Sequence, residues 1–201
     1  MNDVKKIALR FRGFLPVVVD IETAGLNCKT DAILEIATII INYDIHGKLS
    51  LQKSNFCHVL PFVGANLDKE ALEFNGIDPY QPLRFAVKEL DALNEIFIPI
   101  NKEVAATGCK RAILVGHNPT FDLNFLRAAV KRCDYKHDPF HKFTTFDTAT
   151  LAGVALGHTV LAVACQKANI AFSTQDAHSA LYDATKTAEL FCHIVNNFRF
   201  C

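Results

Sequence analysis

The chain has no net charge to speak of: 21 Lys and Arg balance 21 Asp and Glu over 201 residues. A polyanionic partner is therefore not announced by global charge, and any basic surface has to be local. No Cys-x-x-Cys pair occurs, and the seven cysteines are odd in number. Neither a zinc knuckle nor a disulfide framework is therefore suggested, leaving reduced thiols as the simpler reading. Residues 1–12 lack the apolar core of a signal peptide. Apolar runs such as residues 36–41, with one Thr, are far too short to span a bilayer. A soluble, cytoplasmic protein with no membrane partner is expected. There is no internal repeat, low-complexity segment or linker, so residues 1–201 are expected to form a single domain. Tryptophan is also missing, against 16 Phe and four Tyr, and most of these Phe are expected in the core.

The richest stretch is residues 16–23, PVVVDIET. Its consecutive apolar residues predict a strand buried on both faces. In a strand, residues i and i+2 share a side at about 6.6 Å spacing, so Asp20 and Glu22 project together from its end. Two ionised carboxylates there are costly without compensation. With no Lys or Arg in the segment, a divalent cation is the leading candidate.

Further strands are predicted over residues 32–43 and 56–60, giving an antiparallel opening. A short helix follows over residues 68–74, then a long one from Pro82 to about Thr107, kinked or broken at Pro99. Residues 112–115 read as a buried strand, residues 121–132 as a helix, and Thr145 and Phe146 as a strand end. Asp147 and Thr159 are the expected caps of helices reaching Ala155 and spanning residues 160–167. The last helix runs from Ser179 to Phe198, with Leu181, Ala184, Ala188, Phe191 and Val195 on one face. Near the amino terminus, Ile7 and Phe11 have helix-like spacing. Alternating strands and helices indicate an α/β fold: a central mixed sheet with antiparallel opening strands and helices on both sides.

Asp122 falls in the first turn of a helix after a buried strand, and Asp183 in the first turn of the last helix. Taken alone, an Asp at either place is more often a helix-dipole or capping residue. Asp183 nonetheless lies about 200° around the helix from Leu181, and His178 precedes that helix. Taken in order, Asp20-x-Glu22, Asn118-x-x-Phe121-Asp122 and His178-x₄-Asp183 are three acidic motifs over nearly the whole chain. This set resembles the DEDDh exonuclease superfamily, in its histidine branch, since Ser179 stands where the tyrosine branch has Tyr. Residues 10–14 (RFRGF), 21–25 (IETAG), 61–66 (PFVGAN), 74–77 (FNGI), 139–143 (PFHKF) and 146–149 (FDTA) extend the likeness to the ribonuclease T family.

The resemblance implies a ribonuclease H-like fold and a 3′–5′ exoribonuclease. Such an enzyme trims short single-stranded 3′ ends of tRNA and other stable RNAs, with single-stranded DNA as a further substrate, and releases nucleoside 5′-monophosphates. It implies two Mg²⁺ or Mn²⁺ ions held by Asp20, Glu22, Asp122 and Asp183, with Asp20 bridging and His178 as general base. The matching base-gripping positions are Leu26, Glu70, Phe74, Phe121 and Phe143; Leu26 replaces the family's Phe. Arg10, Arg12, Arg111 and Lys136 match positions that hold the RNA backbone. Ala105 stands where a lysine is expected, with Lys102 and Lys110 nearby. In the family this basic patch serves the partner subunit, which implies an antiparallel homodimer. The competing readings are an oligoribonuclease or DNA proofreading exonuclease of the same superfamily, or a catalytically inactive nucleic-acid-binding module.

Overall fold

The computed structural model describes residues 6–177 and 179–198. Five strands form one sheet in the order β3-β2-β1-β4-β5. Strands β1 (Phe14–Thr23), β2 (Ile33–Tyr43) and β3 (Leu49–His58) are the antiparallel opening. Strands β4 (Arg111–Gly116) and β5 (Phe140–Asp147) then add in parallel on the other side of β1. Successive strand residues point to opposite faces, yet Val17, Val18 and Val19 are all fully buried, so both faces of β1 are covered. Helix α6 (Ala180–Asn197) packs on β1, β2 and β3, and it is backed by α4 (Thr148–Leu156) and α5 (Leu161–Lys167). Helix α2 (Glu89–Ala106), with α3 (Thr120–Arg132), covers the other face. The two-turn helix α1 (Lys69–Asn75) is capped by the Asp68 carboxylate, which accepts the Ala71 N–H, and is ended by Gly76 at φ 68°.

Several expectations change. Strand β3 begins at Leu49 rather than Phe56, because it is an edge strand. Its half-exposed, polar first half is held by the ladder to β2 and not by its own hydrophobicity. Pro82 opens a 3₁₀ turn (Pro82–Arg84), and Phe85 at φ 51° ends it before α2 starts at Glu89. Helix α2 then runs without a break through Pro99. The carbonyl that Pro99 leaves without its usual donor belongs to Glu95, which is exposed, so water can satisfy it. Pro16 lies inside β1, but pairing with β2 starts only at Val17, so its missing N–H costs no antiparallel ladder bond. Residues 7–9 and 11–13 form 3₁₀ turns instead of α-helix, with Arg12 at φ 61°. Strand β5 starts at Phe140, ahead of the expected Thr145. Thr159 caps nothing with its side chain, since Val160 is the N-cap of α5 and the Thr159 carbonyl lies 2.7 Å from His117 Nε2. Leu181 is 37% exposed and leaves the core face of α6 to Ala180, Ala184, Ala188 and Phe191.

Candidate active site

Strand β1 outruns its parallel neighbour. Its pairing with β4 ends at Val18–Val115, while β1 continues to Thr23. Asp20 and Glu22 occupy that overhang, both partly buried, with Ile21 between them turned into the core. After β4 the chain turns sharply at Gly116, where a Cβ would meet Pro119 at 3.1 Å. Asn118 adopts φ 65°, and its N–H donates to Asp147 Oδ1 at 3.0 Å. Asp147 also caps α4, accepting from the Ala149 and Thr150 N–H groups. This turn delivers Asp122 on the first turn of α3, where it is 5% exposed and accepts from its own N–H and that of Ile21. Asp122 thus takes a β1 donor just past the end of the β4 ladder.

Helix α6 supplies Asp183 from its first turn. One carboxylate oxygen each from Asp20, Glu22 and Asp183 lies within 4.8 Å of the others. Loss of solvation, then repulsion from Asp122, Glu22, Asp183 and Glu35, holds the Asp20 carboxyl well above the ordinary range. Burial, with Glu35, Asp183 and Asp122 adding, pushes Glu22 up to about 8. Burial pushes Asp122 up to about 8 against its backbone donors. None of the ion pairs among the described residues reaches Asp20, Glu22 or Asp122. A cluster of hard oxygen donors of this kind fits Mg²⁺ or Mn²⁺. His178, the fifth residue of the motif set, lies outside the described residues.

Beside this cluster opens a cleft of about 700 Å³ lined by Glu22, Leu26, Glu70, Phe74, Asn75 and Phe121, among others. Four of the five expected base-gripping positions therefore share one wall system with a cluster carboxylate. Leu26 and Phe74 are 86% and 70% exposed, while Phe121 is half-buried against Phe125, with ring centroids 4.9 Å apart. Asn75 ties α1 to β1 by donating to the Thr23 carbonyl at 3.1 Å. The turn bearing Leu26 wraps Asp31, which accepts from the Asn27 N–H, Thr30 Oγ1 and Asn66 Nδ2. Gly25, at φ 151°, is required there because a Cβ would sit 2.1 Å from Asp31 Oδ2. Phe143 is not among the residues lining this cleft; it is exposed on β5, edge-on to His141.

The basic candidates lie elsewhere. Arg111 and Lys136 line a larger cleft, about 900 Å³, together with Lys102, Ala105, Lys110 and His137. Arg111 donates to the Asp138 carbonyl at 2.8 Å, and Lys136 pairs with Asp134. Arg10 donates to the Tyr43 hydroxyl at 3.2 Å, and Arg12 lies over the Phe14 ring at 5.4 Å.

The family model described as an exonuclease, RNase_T, matches residues 17–191. The chain belongs to the ribonuclease T exonuclease family. It is 61% identical over 193 residues to a ribonuclease T of Hahella chejuensis, covering 96% of this chain and 88% of that one. It is 60% identical over 203 residues to a ribonuclease T of Marinobacter nauticus, covering 99% and 92%. Among solved structures, the nuclease domain of 3′hExo, a DEDDh family member bound to rAMP, superposes with a TM-score of 0.70. The identity is 18%, over 90% of this chain and 91% of that domain. Escherichia coli exonuclease I in complex with a dT13 oligonucleotide gives 0.67 at 19% identity, over 89% of this chain and 40% of that one. These two likenesses show the ribonuclease H-like fold. The ribonuclease T family is one of 3′–5′ exoribonucleases, phosphodiester hydrolases that use divalent metal ions. No single helix among the described residues is long and apolar enough to cross a membrane.

One acidic residue of this ribonuclease T family member escaped the motif reading. Glu35 faces Glu22 across the β1–β2 ladder and is 7% exposed. Its signal was present in the sequence, a lone charge inside the otherwise apolar run of β2.

Proposed function

We propose that this chain, as one domain over residues 1–201, is a metal-dependent exoribonuclease that trims short single-stranded 3′ ends of structured RNAs, tRNA among them. The observation that carries the reading is the convergence of Asp20, Glu22 and Asp183 oxygens within 4.8 Å, with buried Asp122 repelling them and no protein cation paired to Asp20, Glu22 or Asp122 among the described residues. Four carboxylates from three separate elements would hold two divalent ions, Mg²⁺ or Mn²⁺. When bound, such a pair activates a water and stabilises the leaving 3′-oxygen.

The chain's own residues supply the rest. Asp20, the acid that Asp122, Glu22 and Asp183 all repel, would be shared between the two ions, and Glu22, Asp122 and Asp183 would supply the remaining carboxylate ligands. His178 takes the proton of the attacking water, because an imidazole titrates near working pH. Leu26, Phe74 and Phe121 offer apolar and aromatic surface for the terminal bases, and Glu70 offers acceptors for base edges. Phe143 reaches the same nucleotides only if the RNA end extends beyond the 700 Å³ cleft. Arg10, Arg12, Arg111 and Lys136 hold the RNA backbone. Since Arg111 and Lys136 line a different cleft from the carboxylates, an antiparallel homodimer, each basic face serving the partner's site, accommodates both. The cytoplasm, where stable RNAs are processed, is the proposed compartment, and single-stranded DNA ends are a second substrate. Assays with Mg²⁺ and with EDTA, on RNAs differing only in their last two nucleotides, test the reading. Stepwise release of nucleoside 5′-monophosphates that EDTA stops is expected; no digestion of any of them overturns it.

A further inference from the structure

Glu35 has no part in the reaction as written above, yet its surroundings are built around it. The register aligns Glu22, Glu35 and His58 in one row across β1, β2 and β3. A buried carboxylate is costly unless its oxygens are occupied, and both are. Oε1 lies 3.1 Å from His58 Nδ1, and Oε2 accepts the Ala180 N–H at 3.2 Å. His58 is itself held: its ring stands edge-on to Phe56, and its Nδ1 is 3.4 Å from Arg84 Nη2. Arg84 is anchored by donating to the Leu34 carbonyl at 2.8 Å.

Ala180 is the first residue of α6, and its N–H belongs to the group that no helix can satisfy internally. The N-cap, Ser179, makes no side-chain cap bond. Glu35 therefore does from β2 what a local cap does elsewhere, with a carboxylate at the positive end of the helix. Asp183 sits on that same turn, its N–H donating to the Ser179 carbonyl at 2.9 Å. The hydrogen bond from Ala180 to Glu35 ties the turn that bears Asp183 to β2, in addition to the packing of α6 on the sheet.

We propose that Glu35 is a positioning residue: by accepting the Ala180 N–H it pins the first turn of α6 to the sheet and sets the separation of Asp183 from Asp20 and Glu22 that a divalent ion requires. This rests on the metal-dependent reading above. Mg²⁺ and Mn²⁺ demand near-octahedral geometry, and groups that orient carboxylate ligands are typically worth about 10–100-fold in affinity or activity. A different role, adding negative charge to the field of the site, would need no hydrogen bond to Ala180.

Two variants separate these. Glu35→Gln and Glu35→Met both remove the charge at similar side-chain length, but only Gln keeps an oxygen to accept from Ala180. Mn²⁺ alone is titrated into each protein by calorimetry, and amide exchange of the first turn of α6 is followed without metal. E35M is expected to bind Mn²⁺ at least ~10-fold more weakly than E35Q, with faster exchange in that turn. On RNA its kcat is expected to fall with the Mn²⁺ affinity while KM stays within about threefold. Equal Mn²⁺ affinity and equal exchange in the two variants overturn the proposal. Ala180→Pro gives an independent arm should E35M not fold. It deletes the N–H at a helix position where proline is tolerated and leaves Glu35 in place; an Mn²⁺ affinity equal to that of the unaltered protein counts against the proposal. Failure of the unaltered protein to bind Mn²⁺ would instead refute the metal reading, and the exchange comparison would still decide whether Glu35 pins α6.

Discussion

Removing the divalent ion is expected to make stability fall steeply with pH, in the direction opposite to ordinary acid denaturation. Without metal, the folded protein holds Glu22 at about 8 against 4.5, and Asp122 at about 8 against 3.8. Asp20 is raised well above its usual value as well. Carboxyls raised on folding keep protons that the unfolded chain has already released. Stability is therefore full below the unfolded values, near pH 4, and is lost as pH climbs toward 8. For Glu22 alone the rise corresponds to about 5 kcal/mol, at ~1.4 kcal/mol per pH unit. That is a large part of the ~5–15 kcal/mol that holds a typical domain together. For a chain of this size each kcal/mol moves the midpoint by ~2–4 °C, so a drop of the order of 10 °C is expected between pH 5 and 8.5.

The assay is a set of thermal melts in EDTA and in excess Mg²⁺ across that window. In Mg²⁺ the slope is expected to flatten, because the ion binds the ionised carboxylates and so favours the folded state with rising pH. Calorimetric Mg²⁺ titrations near pH 7 are expected to release protons to the buffer. A melting temperature in EDTA that is level or rises from pH 5 to 8.5, or that Mg²⁺ leaves unchanged at pH 8.5, would refute the electrostatic account of the cluster.

Three substitutions probe the same centre. Asp122→Asn keeps an oxygen for the Ile21 N–H but removes a buried charge. It is expected to raise the EDTA melting temperature at pH 8 by several degrees while cutting nuclease turnover at least ~100-fold; a lower melting temperature would contradict the assigned repulsion. His178→Ala is expected to leave Mn²⁺ affinity within about threefold and lower kcat by ~10²–10⁴; near-normal kcat removes His178 from the role of base. Leu26→Phe adds a stacking face to the exposed rim of the cleft, where a base stack contributes roughly 1–3 kcal/mol. It is expected to lower KM for single-stranded RNA ends by about fivefold, and an unchanged KM would place the terminal base elsewhere.

What the sequence made legible follows from how local each signal is. The run of valines into Asp20 and Glu22 marked the central strand and its two acids together, because a strand buried on both faces leaves no other reason for consecutive apolar residues to end in carboxylates. Asp147 as a cap was equally local, since its two capping bonds come from residues two and three positions onward. Strand β3 was half hidden because an edge strand takes its order from the ladder to β2. The start of α2 was misplaced because Pro82 opens a 3₁₀ turn as readily as an α-helix, and the left-handed Phe85 that separates them carries no composition signal. Leu181 matched the helical stripe by spacing, but the turn of α6 that bears it faces a groove. Glu35 is the most instructive miss. Its neighbours His58 and Ala180 are 23 and 145 residues away in sequence, and no periodicity reports a partner at that range.

These features share one physical cause. The acids stand where β1 extends past β4, so the strand end loses a neighbour on one side. Asp122 fills the gap by accepting the N–H of Ile21. Ladder, turn and helix start are thereby tied to a carboxylate that a dry core would reject. The opposite side of β1 is still paired, and there Glu35 meets Glu22 in register and passes the constraint on to α6. Each cluster acid is thus held by backbone that cannot relax without breaking a ladder or a helix start. Such a site cannot relieve its own repulsion by spreading apart; it must take up either protons or a divalent cation. The fold holds the acids in place, and the cation is what allows them to stay ionised at the pH where RNA is cut.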